Sequence, residues 1–280
     1  MDALDEGQGA MKVIFFDIDG TLSNFEGVVP ESAIQGIKKT QKAGNITALC
    51  SGRSESQIDA DILAVGFDAI VSAAGAHVSV NGQTIYESVI PPDKYESCLS
   101  LIQKDLPDLC VQTNEAVYVR EDGYDKLVEF TTGFAQDDRD PDEVVGNLKR
   151  LPTLSGVANV QKMFYHRAPI TVEEVNRRIG DYFMVTELSF GKPDPYCGEI
   201  TVRGVEKSTG MDELMRYYGL SREDSVAFGD GPNDVDMMEY ARIAVAMGNG
   251  RDEIKALADF VTADVDDDGI YKGLEHFGLL

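Results

Sequence analysis

Two acidic residues stand two positions apart in the segment Asp17–Thr21 (DIDGT), directly after a short apolar run. The run at 12–16 predicts a buried β-strand, so both carboxylates leave the carboxyl end of that strand, where open α/β sheets bind ligands. In this position Asp17 can act as a nucleophile or bind a metal ion, and Asp19 can give and take a proton. Gly20 permits a tight turn. The alternative is an acidic turn or helix cap.

A second acidic motif, Gly229–Asp234 (GDGPND), follows the predicted strand at 225–229. It places Asp230, Asp234 and the amide of Asn233 at another strand end. Together with the first motif these oxygen ligands suit a hard cation such as Mg²⁺. The same motif can also form a turn that caps the following helix, and the two roles are compatible.

Two further features suit an anionic ligand. Ser51 and Gly52, followed by an arginine, lie after a predicted strand and before a predicted helix. A hydroxyl and free backbone N–H groups at a helix N-terminus form a phosphate seat. Lys207, just before a predicted helix at 208–218, can supply the point charge that a phosphoryl group needs. A lone lysine is otherwise most often a surface residue.

The elements around these motifs alternate between short apolar strands and amphipathic helices. This alternation predicts an α/β fold, a Rossmann-like parallel-sheet core covered on both faces. The predicted strands lie at 12–16, 46–50, 68–72, 225–229, 243–246 and 260–262. The predicted helices run from Glu31 to Gly44, from Ser54 through Ile58 and Ile62 to Val65, and over 208–218, 234–241 and 251–258.

The middle of the chain has a different pattern. From about residue 84 to 202 the strands are longer and alternate between apolar and polar residues, at 116–120, 159–165 and 182–186. This pattern predicts an antiparallel sheet with helices on one face. We therefore divide the chain into a catalytic core, 1–83 and 203–280, and an inserted α+β cap domain, 84–202. Residues 1–10 are predicted to be a tail.

Composition narrows the class of protein. The 280 residues carry 25 basic and 49 acidic side chains, a net charge of −24, which opposes binding to nucleic acid and to anionic lipid. No apolar run approaches the ~20 residues of a membrane span, and from the acidic, polar residues 1–10 we expect no secretory signal. The four widely spaced cysteines suggest reduced thiols. We expect a cytoplasmic protein with no nucleic-acid or membrane partner and with local positive charge for any anionic substrate.

Taken in order, the four motifs resemble those of the haloacid dehalogenase superfamily of phosphatases: Asp17-x-Asp19-Gly-Thr, Ser51-Gly-Arg, Lys207 and Gly229-Asp-x-x-Asn233-Asp234. The long insertion, and an ending with Val261-Thr-Ala-Asp and Asp268-Gly-Ile, resemble the Cof-type branch, which hydrolyses sugar phosphates and similar small metabolites. The resemblance spans about residues 11–280, and the insertion corresponds to the α/β cap of that branch.

The resemblance implies Mg²⁺-dependent hydrolysis of a small phosphorylated substrate through an aspartyl-phosphate. Asp17 would attack phosphorus, and Asp19 would protonate the leaving alcohol and then activate water. The ion would be held by the Asp17 carboxylate, the Asp19 main-chain oxygen and Asp230, with Asp234 as a direct or outer ligand. The phosphoryl oxygens would be bound by Ser51, Gly52, Lys207 and Asn233.

One segment departs from the branch, which usually has Asn-Gly-Ala after its third strand where this chain has Ala73-Ala74-Gly75-Ala76. The departure removes an amide near the expected site and affects the choice of substrate more than the chemistry. We expect substrate choice to depend on the cap. The candidate cap contacts are Lys162, Tyr165, Arg167, Lys192 and Tyr196.

Three other functions remain open on the sequence. The fold can serve as a non-hydrolytic sensor of a phosphometabolite, or as a sugar phosphomutase if the cap excludes water. The third is calcium binding, because the segment 264–275 has the spacing of an EF-hand loop, with Asp264, Asp266, Asp268, Gly269 and Glu275 in place.

Overall fold

The chain is divided into two compact units. A computed structural model describes residues 11–24, 26–135, 147–188 and 194–280. Unit 1 comprises the described residues of Met1–Leu49, Phe67–Ala69 and Met211–Leu280, and unit 2 those of Cys50–Gly66 and Ile70–Gly210. The predicted tail at 1–10 and Lys192 lie outside the described residues. The predicted division into core and cap at 83/84 and 202/203 stays a prediction.

Unit 1 contains five neighbouring strands in the order β14-β13-β12-β1-β2, paired in parallel. In the register, Phe16 of β1 lies between Phe228 of β12 and Leu49 of β2. All residues of β1, β2 and β12 are buried, as expected for parallel strands covered on both faces. The bounds are β1 (Val13–Phe16), β2 (Ile46–Cys50), β12 (Ser225–Gly229), β13 (Ile243–Ala246) and β14 (Phe260–Val261).

Helices cover this sheet where the apolar periodicity predicts them. Helix α1 packs against α9, and Gly36 lies so close to α9 that a Cβ there would be 3.1 Å from Leu274 Cδ1. The predicted strands and most predicted helices of this part are confirmed to within one or two residues. The helices are α1 (Glu31–Lys42), α6 (Lys207–Tyr218), α7 (Val235–Tyr240), α8 (Asp252–Leu257) and α9 (Gly269–His276).

The helix predicted from Ser54 to Val65 is wrong. The segment forms a 3₁₀ turn, Glu55–Gln57, and a separate short helix, α2 (Ala60–Ala64), with extended backbone at Ile58 (φ −82°, ψ 122°) between them. The Gln57 side chain turns back and accepts the N–H of Ser54 at 3.1 Å. This contact closes a single turn, and the apolar spacing of the segment does not reveal it.

After α2, unit 2 contains most of β3 (Ala69–Ser72) and an antiparallel hairpin of β4 (His77–Val80) and β5 (Gln83–Glu87). The hairpin turns at Asn81 and Gly82, whose φ values of 49° and 74° fit a two-residue turn with both φ positive. This hairpin was not predicted, although an Asn-Gly pair between short strands is a strong local signal for one.

A second sheet of unit 2 has six strands in the order β10-β11-β9-β6-β7-β8. It is antiparallel except for the parallel pair β7–β8. The predicted strands at 116–120 and 182–186 are confirmed as β7 and β10, and the one at 159–165 begins later, as β9. The bounds are β6 (Cys110–Gln112), β7 (Val117–Arg120), β8 (Leu148–Leu151), β9 (Lys162–Tyr165), β10 (Phe183–Glu187) and β11 (Gly198–Val202), and the helices are α3 (Pro92–Ile102), α4 (Tyr124–Ala135) and α5 (Val172–Ile179).

Helices lie on both faces of this sheet, so the prediction of helices on one face is wrong. One face, with Val111 and Met163, shares a buried core with α3 and α5. The opposite face, with Cys110 and Phe164, packs against Leu127 of α4. Strand residues alternate between the faces, and both sides of the middle strands are apolar, which calls for cover on each side.

The Ala-Ala-Gly segment after β3 has a left-handed backbone. Ala73, Ala74 and Gly75 have φ values of 50°, 54° and 89°. Gly75 cannot be replaced, because a Cβ there would overlap the Glu206 carbonyl. The two alanines adopt a conformation that Gly and Asn adopt more readily, at about 1–2 kcal/mol per residue.

We expect Ala74→Gly to raise the free energy of unfolding by about 1 kcal/mol, because Gly relieves the left-handed strain at φ 54°, ψ 42°. Urea denaturation measures the change. Ala256→Gly, at an exposed position in α8, is the control and should lower stability by about 0.5–1 kcal/mol. Equal destabilisation by both substitutions would contradict the strain at Ala74.

Candidate active site

Three buried carboxylates meet at the carboxyl ends of β1 and β12 in unit 1. One carboxylate oxygen from each of Asp17, Asp230 and Asp234 lies within 4.8 Å of the others. Their exposed fractions are 4%, 8% and 0%. The Asp17 N–H donates to the Phe228 carbonyl at 3.1 Å, which continues the β1–β12 pairing into the site. Within the described parts of the chain, this is the one group of three or more His, Cys, Asp or Glu side chains that could hold a metal ion.

The second acidic motif is held in shape by its own carboxylate. Asp234 Oδ2 accepts the backbone N–H groups of Asp230 and Gly231, each at 3.0 Å. Asp234 also ends the 3₁₀ turn Pro232–Asp234, in which the predicted phosphate ligand Asn233 is half-buried. One oxygen of Asp234 is therefore engaged in fixing the loop that presents Asp230.

A residue of the first acidic motif, Thr21, holds the Asp230 carboxylate by a hydrogen bond. The Thr21 hydroxyl, itself buried, donates to Asp230 Oδ1 at 2.8 Å. Carboxylates held this close in a buried site repel one another, and a cation or a proton relieves the repulsion. The donor set of three carboxylates is the chemistry that Mg²⁺ or another hard divalent cation prefers.

Asp19 is placed differently from the other acidic residues. Its side chain is exposed and is not part of the three-carboxylate group. It sits in a tight turn in which the Gly20 N–H donates to the Ser23 carbonyl at 2.8 Å. Asp17 and Asp19 therefore occupy different environments, one buried and one exposed, although they are only two residues apart.

Sequence reasoning did not identify Asn249 as a residue of the site. Its Nδ2 donates to the Gly20 carbonyl at 2.7 Å, and its Oδ1 accepts the Val265 N–H at 2.9 Å. The side chain thus ties the turn after β1 to the segment after β14. The available signal was a polar residue between two glycines, Gly248 and Gly250, just after a strand.

The remaining predicted phosphate ligands belong to unit 2. Ser51 is buried, and its N–H donates to the Val71 carbonyl at 2.9 Å. Its hydroxyl oxygen accepts the Arg53 N–H at 3.2 Å. Gly52 is half-buried, and Lys207 is the first residue of α6 and only 2% exposed. A buried lysine is uncommon and marks a position where an ammonium group has a specific use.

The candidate cap contacts separate into buried and exposed residues. Lys162 is buried and bonded to the Gly52 carbonyl at 2.7 Å. Tyr165 is buried, and burial raises the pKa of its hydroxyl. Arg167 pairs at the surface with Glu129 at 3.1 Å, and Tyr196 is 45% exposed.

The segment 264–275 does not have the structure of a calcium loop. The preceding element is strand β14 and not a helix, and α9 begins at Gly269, the sixth position of the loop pattern. Asp266 accepts a hydrogen bond from Asn24 Nδ2 at 2.9 Å. Within the described residues the carboxylates of this segment form no group of three. The geometry therefore disfavours the calcium-binding alternative.

The fold and the site define an α/β protein with a Rossmann-like core and a carboxylate centre at its strand ends. A profile of the haloacid dehalogenase-like hydrolases matches residues 14–274, and the chain belongs to this family. It falls in the Cof-type branch and is a phosphatase. None of the helices in the described residues is long and apolar enough to cross a membrane.

Relatives and solved structures match the chain along nearly its whole length. YkrA of Bacillus subtilis (strain 168) is 28% identical over 270 residues, covering 96% of this chain and 98% of YkrA. BT4131, described as a sugar phosphatase of subclass IIB, is 29% identical with a TM-score of 0.78, covering 96% of this chain and 100% of BT4131. BT1666 of Bacteroides thetaiotaomicron, from a study of phosphatases, is 27% identical with a TM-score of 0.80, covering 99% of each chain.

We expect Gly20→Ala to weaken metal binding and to lower turnover by at least about tenfold, because a misplaced catalytic group is costly. A Cβ at this position would overlap the Asp230 carboxylate, with its Cγ only 2.8 Å away. The measurement is calorimetric titration with Mg²⁺ together with phosphatase assay.

Gly27→Ala is the matched control, since Gly27 has a similar φ of +80° against +88° but has nothing within 4 Å of its Cβ position. It carries the same backbone strain without the collision. If both substitutions reduced metal affinity equally, displacement of Asp230 would not be the cause.

Proposed function

We propose that the protein hydrolyses the phosphate monoester of a small hydroxyl-rich metabolite, a sugar phosphate, in a Mg²⁺-dependent reaction in the cytoplasm. The observation that carries the proposal is the buried group of Asp17, Asp230 and Asp234 at the ends of two adjacent parallel strands. Family membership supports the hydrolytic chemistry. The description of BT4131 as a sugar phosphatase supports the substrate class.

The residues present fit a magnesium ion. Asp17 and Asp230 offer carboxylate oxygens, Asp234 lies beside them, and the Asp19 main-chain oxygen is the fourth proposed ligand. When bound, the ion supplies positive charge that offsets the repulsion between an anionic phosphate and an anionic nucleophile. In a protein of net charge −24, local positive charge of this kind favours the approach of an anionic phosphate.

The covalent chemistry belongs to Asp17 and Asp19. An Asp17 carboxylate oxygen attacks phosphorus, a new P–O bond forms, and the bond from phosphorus to the substrate oxygen breaks. Asp19, with its exposed side chain, donates a proton to the leaving alkoxide. It then takes a proton from water, which attacks the aspartyl-phosphate and releases inorganic phosphate and the Asp17 carboxylate.

Four residues are proposed to bind the phosphoryl oxygens: Ser51, Gly52, Lys207 and Asn233. Ser51 directly follows β2, which pairs in parallel with the strand that carries Asp17. Lys207 is a buried cation, and an ammonium suits phosphate as a point charge. Catalysis of phosphoryl transfer depends mainly on such positioning and charge neutralisation.

We further propose that residues 1–83 and 203–280 form the catalytic core and that 84–202 form a cap that selects the substrate. The six-stranded sheet and its helices lie within that insertion, which supports the division. Another relative, YitU of Bacillus subtilis (strain 168), is named a 5-amino-6-(5-phospho-D-ribitylamino)uracil phosphatase and is 24% identical over 278 residues. That compound belongs in the substrate panel.

The test is release of inorganic phosphate from a panel of sugar phosphates, the ribitylaminouracil phosphate and an aryl phosphate. Each is assayed with Mg²⁺ and again after addition of EDTA. We expect turnover with Mg²⁺, its loss with EDTA, and the highest kcat/KM on a sugar phosphate. Binding without release would favour a sensor, and transfer of phosphate between sugar hydroxyls would favour a phosphomutase.

We expect Asp17→Asn to lower kcat on the order of 10⁴-fold or more, because it removes the nucleophile of a group that acts as a unit. The protein should remain folded by circular dichroism, since the amide has the same shape. Asp266→Ala and Glu275→Ala are controls and should keep nearly full activity. Residual turnover by Asp17→Asn above about a tenth of the original would contradict the covalent mechanism.

A further inference from the structure

One face of the six-stranded sheet ends in a polar group that reaches the Ser51–Gln57 loop of the same unit. The Lys162 ammonium donates to the Gly52 carbonyl at 2.7 Å and to Glu199 Oε1 at 3.0 Å. The Lys162 side chain is 2% exposed and that of Glu199 is 16% exposed. The contact joins residues 110 positions apart in the chain.

A second side chain reaches the far end of the same loop. Gln112 is the cross-strand neighbour of Lys162, and its Nε2 donates to Gln57 Oε1. That Gln57 oxygen also accepts the Ser54 N–H at 3.1 Å, so it closes the 3₁₀ turn. Two adjacent sheet residues therefore hold both ends of the loop.

A gain in folding stability does not explain the Lys162–Glu199 ion pair. Next to this pair the sheet face is apolar, with Cys110 and Phe164 packed against Leu127. Burying an ammonium and a carboxylate is costly, and apolar residues of similar volume are often as stabilising or more so. The buried Lys162 ammonium, paired with Glu199 beside this apolar packing, therefore points to a requirement for position.

The hydrogen bond from Lys162 to the Gly52 carbonyl fixes the orientation of the Gly52–Arg53 peptide. In a trans peptide the carbonyl oxygen and the following N–H point in opposite directions. When Lys162 holds the Gly52 carbonyl, the Arg53 N–H is turned the other way, and there it donates to Ser51 Oγ at 3.2 Å. Since this Ser51 oxygen accepts from the backbone, its own proton is directed toward another acceptor.

We propose that Lys162 is a positioning residue that acts through the Gly52–Arg53 peptide to orient the Ser51 hydroxyl toward the phosphoryl group, with Glu199 holding the ammonium in place. The proposal rests on the proposed function, in which Ser51 and Gly52 bind phosphate. Lys162 itself touches neither the phosphoryl group nor the reacting atoms in this scheme.

The test combines Lys162→Met, which keeps the length and loses the ammonium, with Ser51→Ala in a double-mutant cycle. Calorimetry with inorganic phosphate in the presence of Mg²⁺ gives the Kd. We expect each single substitution to raise the Kd by about tenfold and the double substitution by about tenfold also, because coupled residues are not additive. An increase near a hundredfold in the double variant would mean independent action and would overturn the proposal.

Amide hydrogen exchange is the second readout, because it reports local opening without any need for activity. Lys162→Met should speed exchange within 52–57 and leave Tm within a few degrees. Unchanged exchange there would overturn the proposal. If Lys162→Met fails to fold, Lys162→Gln replaces it in the double-mutant cycle with Ser51→Ala. This variant keeps a hydrogen-bond donor and loses the charge.

Arg120→Met is the matched control. Arg120 is also a cation of this sheet bonded to backbone carbonyls, those of Gln103 and Pro107 at 3.4 and 3.2 Å, but away from the loop. It should change neither phosphate affinity nor exchange at 52–57. A similar loss from Arg120→Met would assign the Lys162 effect to general destabilisation and overturn the proposal.

If the original protein hydrolyses phosphate esters and Lys162→Met binds phosphate equally well, the inference fails and the proposed function stands. If the original protein neither hydrolyses these esters nor binds phosphate, the proposed function fails and the inference fails with it. The two failures are therefore distinguished by the unmodified protein.

Discussion

The site depends on the packing of negative charge at the ends of two parallel strands. Three buried carboxylates lie within 4.8 Å of one another, and their mutual repulsion must be offset by donors or by a cation. The Thr21 hydroxyl and the backbone N–H groups of Asp230 and Gly231 supply part of that compensation. Three carboxylates in one centre are a donor set that could hold a metal ion.

Backbone geometry makes this charge density sterically possible. Gly20 has a φ of +88° and leaves space for the Asp230 carboxylate that any side chain would fill. Asn249 holds the carbonyl of the same glycine at 2.7 Å. The turn after β1 is thus fixed by Gly20 and Asn249, which carry no charge themselves.

The two faces of the six-stranded sheet in unit 2 differ: one packs an apolar core, and part of the other contacts the loop at 52–57. One face builds an apolar core with α3 and α5. The other face is apolar where it meets α4 and polar where Gln112 and Lys162 meet the loop at 52–57. Two lysines among the described residues of this unit, Lys162 and Lys207, are buried in a chain that is strongly acidic overall.

Much of the parallel core could be predicted because its signals are local. Strands buried on both faces are continuous apolar runs, and the polar residues that follow them must lie at one edge of the sheet. The strands at 46–50, 225–229 and 243–246 were predicted to the residue. Where the outcome depended on distant partners, prediction failed: the helix from Ser54 is broken by a side-chain contact, and helix α4 covers a face expected to be open.

The sequence by itself determined which chemical groups are available: the acidic pairs and the serine-glycine loop after strands, and the lysine at the start of α6. Tertiary structure alone decided that Asp17, Asp230 and Asp234 share a centre while Asp19 stays exposed, and that Lys162 is buried against Gly52. The physical reason is that strand identity follows from the periodicity of neighbouring residues. Hydrogen bonds between residues 110 or more positions apart exist only after the chain has folded.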